Sequence, residues 1–265
     1  LPPGLTPGVP VRPSGFFPLA VAPLAAPPWR PRDAAMIAVA LVLPSAITYA
    51  YFFRAGDESA SVQGAVYGTL KTLQFLLPVV WVLAVQRARL QWRPAAGRGV
   101  ALGLAFGVAV AAGALAVYAV ALRGSPVLAE ALPQMRAKVA GFGIDQPGKF
   151  LALAAFYSLI HSLLEEYYWR WFVFGQLRRG TALSTAIALS SLGFMAHHVL
   201  VLGKYFGFAH WATYALSACV ALGGAYWAWL YDRSRSLAGP WLSHAIVDAA
   251  IFLIGYDLVR AQWAG

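Results

Sequence analysis

Seven hydrophobic runs, each near the roughly 20 residues that a membrane-spanning helix needs, dominate this chain. They fall at Ala34–Phe53, Ala65–Val85, Val100–Leu122, Phe150–Phe174, Ala182–Leu202, Phe208–Tyr231 and Trp241–Val259. In hydrocarbon every backbone N–H and C=O must be satisfied within the segment, so apolar runs of this length fold as helices. The expected class is all-α: a polytopic transmembrane helix bundle of about seven spanning helices. Residues 33–123 hold the first three and 149–265 the last four, separated by a loop at 124–148. Of 265 residues, 60% are hydrophobic and 11% charged, against about 25% charged in a soluble domain.

The net charge of +10 would suggest nucleic acid in a soluble protein. Here the basic residues lie mainly between the runs, where they set topology and meet anionic headgroups, so the expected partner is the lipid bilayer and not nucleic acid. One cysteine, Cys219, rules out a disulfide framework and a cysteine metal cluster. Residues 1–32 form a proline-rich lead-in that cannot be one continuous helix and lacks the layout of a cleavable signal peptide. The tail and the even-numbered loops carry the larger share of arginine, including Arg12, Arg89, Arg93 and Arg98. The positive-inside rule then places the N-terminus in the cytoplasm, with the chain in a bacterial cytoplasmic (inner) membrane. Within the loop, Pro126–Ala140 spaces Val127, Leu128, Leu132, Met135 and Val139 as in a short amphipathic helix lying on the membrane, the alternative being an ordinary loop.

Against this apolar background, the stretch Leu163–Phe172 carries Glu165, Glu166 and Arg170. Glu166 and Arg170 are four residues apart and share a helix face, in the better order for an ion pair. Glu165 points about 100° away and has no local partner. The fifth run holds Phe194, His197 and His198, and the seventh holds His244 and Asp248 one turn apart. An ionised group at bilayer depth costs at least a few kcal/mol, so three helices contributing such groups read as one functional site. Counted at 1.5 Å per residue, His198 falls roughly 10 Å from the depth of Glu165 and His244. Either the fifth helix begins near Leu189, after an inserted loop at Arg178–Ser184, or the spans tilt strongly.

The order Glu165-Glu166-x-x-x-Arg170, Phe194-x-x-x-His198, His244-x-x-x-Asp248 resembles the CPBP family. That family groups the CAAX prenyl endoproteases with bacteriocin-processing and Abi-type membrane proteins. The resemblance covers roughly residues 150–260; the first three runs match by hydropathy alone. Asp248 stands where the eukaryotic prenyl-protein members resemble one another in having Asn, a neutral donor that an ionised Asp does not replace.

The resemblance implies an intramembrane endopeptidase acting on a membrane-anchored protein or peptide. Hydrolysis needs an activated water, a polarised carbonyl and a proton for the leaving amine. With no Gly-x-Ser-x-Gly elbow and no motif around Cys219, water activation is the expected route. In one scheme Glu165 is the general base and His198 orients the same water, while His244, its tautomer fixed by Asp248, stabilises the oxyanion or protonates the leaving group. Glu166 and Arg170 support this site, Glu166 also as a catalytic partner. Phe194 presents His198 inward, and His161, one turn before Glu165, lines the same cavity. His197 is expected to face another direction in a structural role, and His210 to lie at the interface. In the second scheme His198, His244 and a glutamate ligate zinc, although the His-Glu-x-x-His pattern is absent. The metal-free scheme, with no cofactor, is preferred. Outside proteolysis, an immunity or scaffold protein and a transporter-like proton relay remain the alternatives.

Overall fold

The structure, a computed structural model, describes residues 21–23, 29–56, 58–88, 90–92, 97 and 99–263. Among them eight helices run in chain order: α1 (Pro31–Arg54), α2 (Ser61–Val85), α3 (Val100–Leu122), α4 (Pro126–Gly141), α5 (Pro147–Gly180), α6 (Leu183–Phe206), α7 (Trp211–Ser234) and α8 (Ala238–Trp263). All seven apolar runs are helical, and the all-α class holds. Six of the helices are long and apolar enough to cross a membrane. The sixth run, α7, has 24 residues but too many Trp, Tyr and small residues to reach that apolarity. Much of the expected lead-in, with Arg12, lies outside the described residues, as do Arg89, Arg93 and Arg98. Within it, β1 (Val21–Pro23) pairs antiparallel with β2 (Leu90–Trp92), Val21 opposite Trp92, so this part of the lead-in is not irregular.

The expected amphipathic helix is α4, but its apolar face turns inward. Leu132 and Val139 are half-buried against a small core of Ile144, Phe150 and Val259. The main core surrounds the second half of α5, where Tyr168, Trp169, Phe172, Val173 and Phe174 are all buried. The Tyr168 hydroxyl donates to the Ala40 carbonyl of α1 at 2.7 Å. At one end of the bundle, Gln86 Nε2 donates to Asp33 Oδ1 (3.0 Å) and Gln176 Oε1 (2.9 Å), joining α1, α2 and α5.

The depth conflict resolves without an inserted loop, because α6 begins at Leu183 and not near Leu189. Charged Arg178 and Arg179 end the hydropathic run at Phe174, yet α5 continues to Gly180. Glu166 and His197 therefore lie the same fourteen residues from the adjoining ends of α5 and α6. His244 comes early in α8 because that helix starts inside the bundle, with Ala238, Gly239 and Pro240 buried.

Small residues make that inset start possible. A Cβ on Gly103 of α3 would stand 2.2 Å from the Gly239 carbonyl oxygen, and one on Gly107 would stand 2.9 Å from Ser243 Cα. Helix backbones approach this closely only where side chains are missing. Gly103→Ala is expected to lower the melting temperature of the detergent-purified protein, since overpacking costs about 1–3 kcal/mol. At Gly113 an added Cβ meets nothing within 4 Å. Gly113→Ala should leave stability unchanged or raise it, alanine being the better helix former by about 1 kcal/mol. Equal melting temperatures for the two variants would contradict the close approach.

Candidate active site

α5 supplies the centre of the site. Ser162–Glu166 is α-helical, with wider π-type turns at Phe156–His161 and Tyr167–Phe174 on either side. Such turns re-aim side chains and concentrate at functional sites. Glu166 is fully buried and Arg170 is 2% exposed, with Arg170 Nη1 2.9 Å from Glu166 Oε1. The Arg170 guanidinium lies in the angle between the rings of Phe194 on α6 (4.7 Å) and Trp227 on α7 (4.9 Å), whose planes are inclined at 68°. Nearby aromatic rings replace part of the hydration that a buried cation loses.

Three helices close on this pair. His244 Nδ1 is 2.8 Å from Glu166 Oε1. A carboxylate accepts, so Nδ1 carries the proton and Nε2 is left to face Asp248 Oδ1 (3.6 Å) and Glu165 Oε2 (3.8 Å). The expected tautomer control by Asp248 is therefore corrected: Glu166 holds Nδ1, at hydrogen-bond distance, while Asp248 stands farther off beside Nε2. Trp227 stacks on the His244 ring at 4.3 Å and donates from Nε1 to Ser243 Oγ at 2.9 Å.

The two neighbouring histidines of α6 part company. His197 Nε2 is 3.6 Å from Glu165 Oε1, and its ring stacks on Trp169 with only 5° between planes. Its expected orientation away from the site is thus overturned. Gly193 permits the stack, since a Cβ there would come within 2.9 Å of the Trp169 ring. His198 donates from Nδ1 to the Phe194 carbonyl at 2.9 Å, which leaves Nε2 as an acceptor. Phe194 is buried and touches His198 (4.8 Å), His197 (5.4 Å) and His244 (5.9 Å), ring centre to ring centre. His161 stacks on Tyr157 at 4.9 Å and interacts electrostatically with Glu165. His210 is not among these groups; it caps α7 by accepting from Ala212 N–H at 3.1 Å.

Two contributors carried little signal in the sequence. Trp227 is one of several tryptophans in its run, and nothing in the spacing singles it out. Lys71, a cation in the middle of α2, lies by the rings of Tyr67 (5.8 Å) and Phe75 (5.5 Å), and its charge acts on Glu165 and His197. Its mid-span position was the signal that could have marked it.

Among the described residues, no group of three or more His, Cys, Asp or Glu side chains is arranged to hold a metal ion. Zinc needs its ligand atoms about 2 Å from one point. Nδ1 of His198 and of His244 is engaged by the Phe194 carbonyl and by Glu166, which leaves Nε2 of each as the nitrogen a zinc ion would take. The donor types suit zinc, while among the described residues they are not gathered about one point.

Residues 147–250 match the family model for type II CAAX prenyl endopeptidase Rce1-like proteins. Over this stretch the chain is similar to the CAAX-protease family. The match takes in Glu165, Glu166, Arg170, Phe194, His197, His198, His244 and Asp248, and it supports an intramembrane CAAX-type endopeptidase in general terms. It covers less than half of the chain and leaves α1 to α4 outside. No curated protein and no solved structure matches.

Within the matched stretch the Glu166–Arg170 pair is structural as well as central. Removing one partner of a buried ion pair costs about 3–5 kcal/mol, because the other charge is left uncompensated. Arg170→Met should therefore sharply lower the melting temperature or prevent accumulation of folded protein. Glu165→Gln, which breaks no contact shorter than 3.6 Å, should melt close to the unmodified protein. Similar losses in both variants would refute this division.

Proposed function

We propose that the chain is a glutamate-type intramembrane endopeptidase that needs no metal, hydrolysing a peptide bond of a membrane-anchored protein or peptide. The observation that carries this reading is the difference between the two adjacent carboxylates. Glu166 is tied to Arg170 and His244, whereas Glu165 stands between two imidazole Nε2 atoms from other helices, beyond direct hydrogen-bond length from either. A carboxylate so placed is free to take a proton from water, and the surrounding imidazoles hold that water in position.

The reaction follows from these groups. Glu165 removes a proton from water, His198 accepts the water's second hydrogen bond at Nε2, and the hydroxide attacks the scissile carbonyl. His244, protonated at Nε2 beside Asp248, donates to the developing oxyanion, while Glu166 and Arg170 fix its ring. Glu165 then passes its proton to the leaving amine, and the tetrahedral intermediate collapses to acid and amine. His197 holds the far oxygen of Glu165, and His161 lines the approach. The arginine bias of the even-numbered loops favours a bacterial cytoplasmic membrane with the N-terminus inside.

The experiment compares membrane proteomes, by terminal-peptide mass spectrometry, of cells producing the unmodified chain, Glu165→Gln or His198→Ala. New termini should appear only with the unmodified chain, since loss of a general base costs on the order of 10²–10⁴-fold in rate. Undiminished cleavage by both variants would sink the proposal. With a cleaved protein in hand, processing by the purified chain should continue in EDTA, and elemental analysis should find no stoichiometric zinc. One zinc per chain would overturn the metal-free scheme.

A further inference from the structure

A cavity lies away from the Glu165 cluster, at the end of the bundle where α1 gives way to α2, with most of its lining residues outside the family match. Its volume is about 390 Å³, within the size range of ligand pockets. Lys138 of α4 and Lys204 of α6 both line it, together with Tyr51, Phe52, Gln63 and Glu58. Lys138 is held in place by neutral groups. Its Nζ donates to Gln63 Oε1 at 3.0 Å and lies 4.2 Å from the Tyr51 ring centre, with Phe142 at 5.0 Å and Phe52 at 5.3 Å. Gln63 is itself fixed, its Nε2 donating to the carbonyls of Gly56 (3.0 Å) and Glu58 (2.8 Å). Among the described residues, no carboxylate lies within 4 Å of the Lys138 ammonium.

Aromatic side chains join this cavity to the catalytic cluster. Tyr51 in its wall packs on Tyr67 at 4.7 Å, the Tyr67 and Tyr157 hydroxyls are 3.5 Å apart, and Tyr157 stacks on His161 one turn from Glu165. These packed side chains carry hydroxyls, and Lys71 lies beside Tyr67. The lining also mixes cations with the acceptors Glu58 and Gln63. A peptide presents both N–H donors and a carboxylate and complements that mixture. A lipid phosphate offers acceptors only and would meet Glu58 unfavourably.

We propose that this cavity is a substrate-anchoring subsite in which Lys138, assisted by Lys204, binds a carboxylate of the peptide whose backbone extends towards Glu165. The carboxylate comes from the peptide's C-terminus or from an acidic side chain, two sources of one chemistry. Burial, and then the charge of Lys204, hold the Lys138 ammonium below its usual range, and an arriving carboxylate relieves the second effect. The subsite rests on the peptide-hydrolysis reading for the kind of ligand, but its test reads binding alone.

The test uses the full chain carrying Glu165→Gln, in phosphatidylcholine nanodiscs. The probes are three fluorescent, N-palmitoylated polyalanine peptides, followed by anisotropy: one with a free C-terminal carboxylate, one amidated, and one amidated with an internal aspartate. The free-acid or the aspartate peptide should bind about ten-fold tighter than the plain amide, and whichever does so names the source. Lys138→Met should erase that preference, Lys138→Arg should keep most of it, and Lys204→Met should reduce it. The arginine and Lys204 variants carry the test if Lys138→Met does not fold. Equal binding of the three peptides overturns the subsite, as does a preference indifferent to Lys138 and Lys204. Lys138-dependent retention of phosphatidylglycerol with no discrimination among the peptides assigns the cavity to a lipid phosphate and equally overturns it. Absence of proteolysis in cells would instead count against the catalytic reading, whatever the binding shows.

Discussion

The buried contact between Glu166 and Arg170 is the constraint on which the centre of this molecule depends. Two full charges inside an apolar bundle are tolerable only when each meets the other and their remaining polar atoms find partners. That requirement brings the rings of Phe194 and Trp227 beside the guanidinium and His244 to the carboxylate. Each belongs to a different helix, so meeting one electrostatic demand fixes the mutual rotation of α5, α6, α7 and α8. Glu165 is oriented as a by-product: with its neighbour locked, the helix carries it towards the imidazoles of α6 and α8.

The aromatic residues here act as spacers with definite angles more than as bulk. Trp169 lies flat against His197, Trp227 lies flat against His244, and Phe194 meets three imidazoles edge on. Stacked and edge-to-face contacts have preferred geometries, so they limit ring rotation where an aliphatic packing would not. The hydrolysis proposed above needs that limit, because small rotations would close the gap between carboxylate and imidazoles or open it.

Much of this was legible in the chain itself. The run lengths announced the helices, the four-residue spacing announced the Glu166–Arg170 pair, and the three polar patches announced a shared interior. What stayed hidden depends on tertiary rotation and depth. His197 and His198 are adjacent, and periodicity cannot say which of two side chains about 100° apart turns inward. His244 has carboxylates on both sides, and only the packed structure shows that Glu166 rather than Asp248 meets Nδ1. The end of α5 was misjudged because arginine lowers hydropathy without ending a helix, and that error produced the conflict over depth. The cavity around Lys138 was invisible because its walls come from four separated segments.

The near contact of α3 with α8 bears on where this protein can be divided. The family resemblance begins at residue 147, after α3 has ended, yet Gly103 and Gly107 lie backbone to backbone against Gly239 and Ser243, next to His244. The imidazole that meets Glu166 thus takes its height and rotation partly from a helix that the resemblance does not include. Similarity in sequence and mechanical independence part company here. The recognisable catalytic half is not a self-sufficient module, and a lineage free to vary its first three helices must still keep small residues where α3 touches α8.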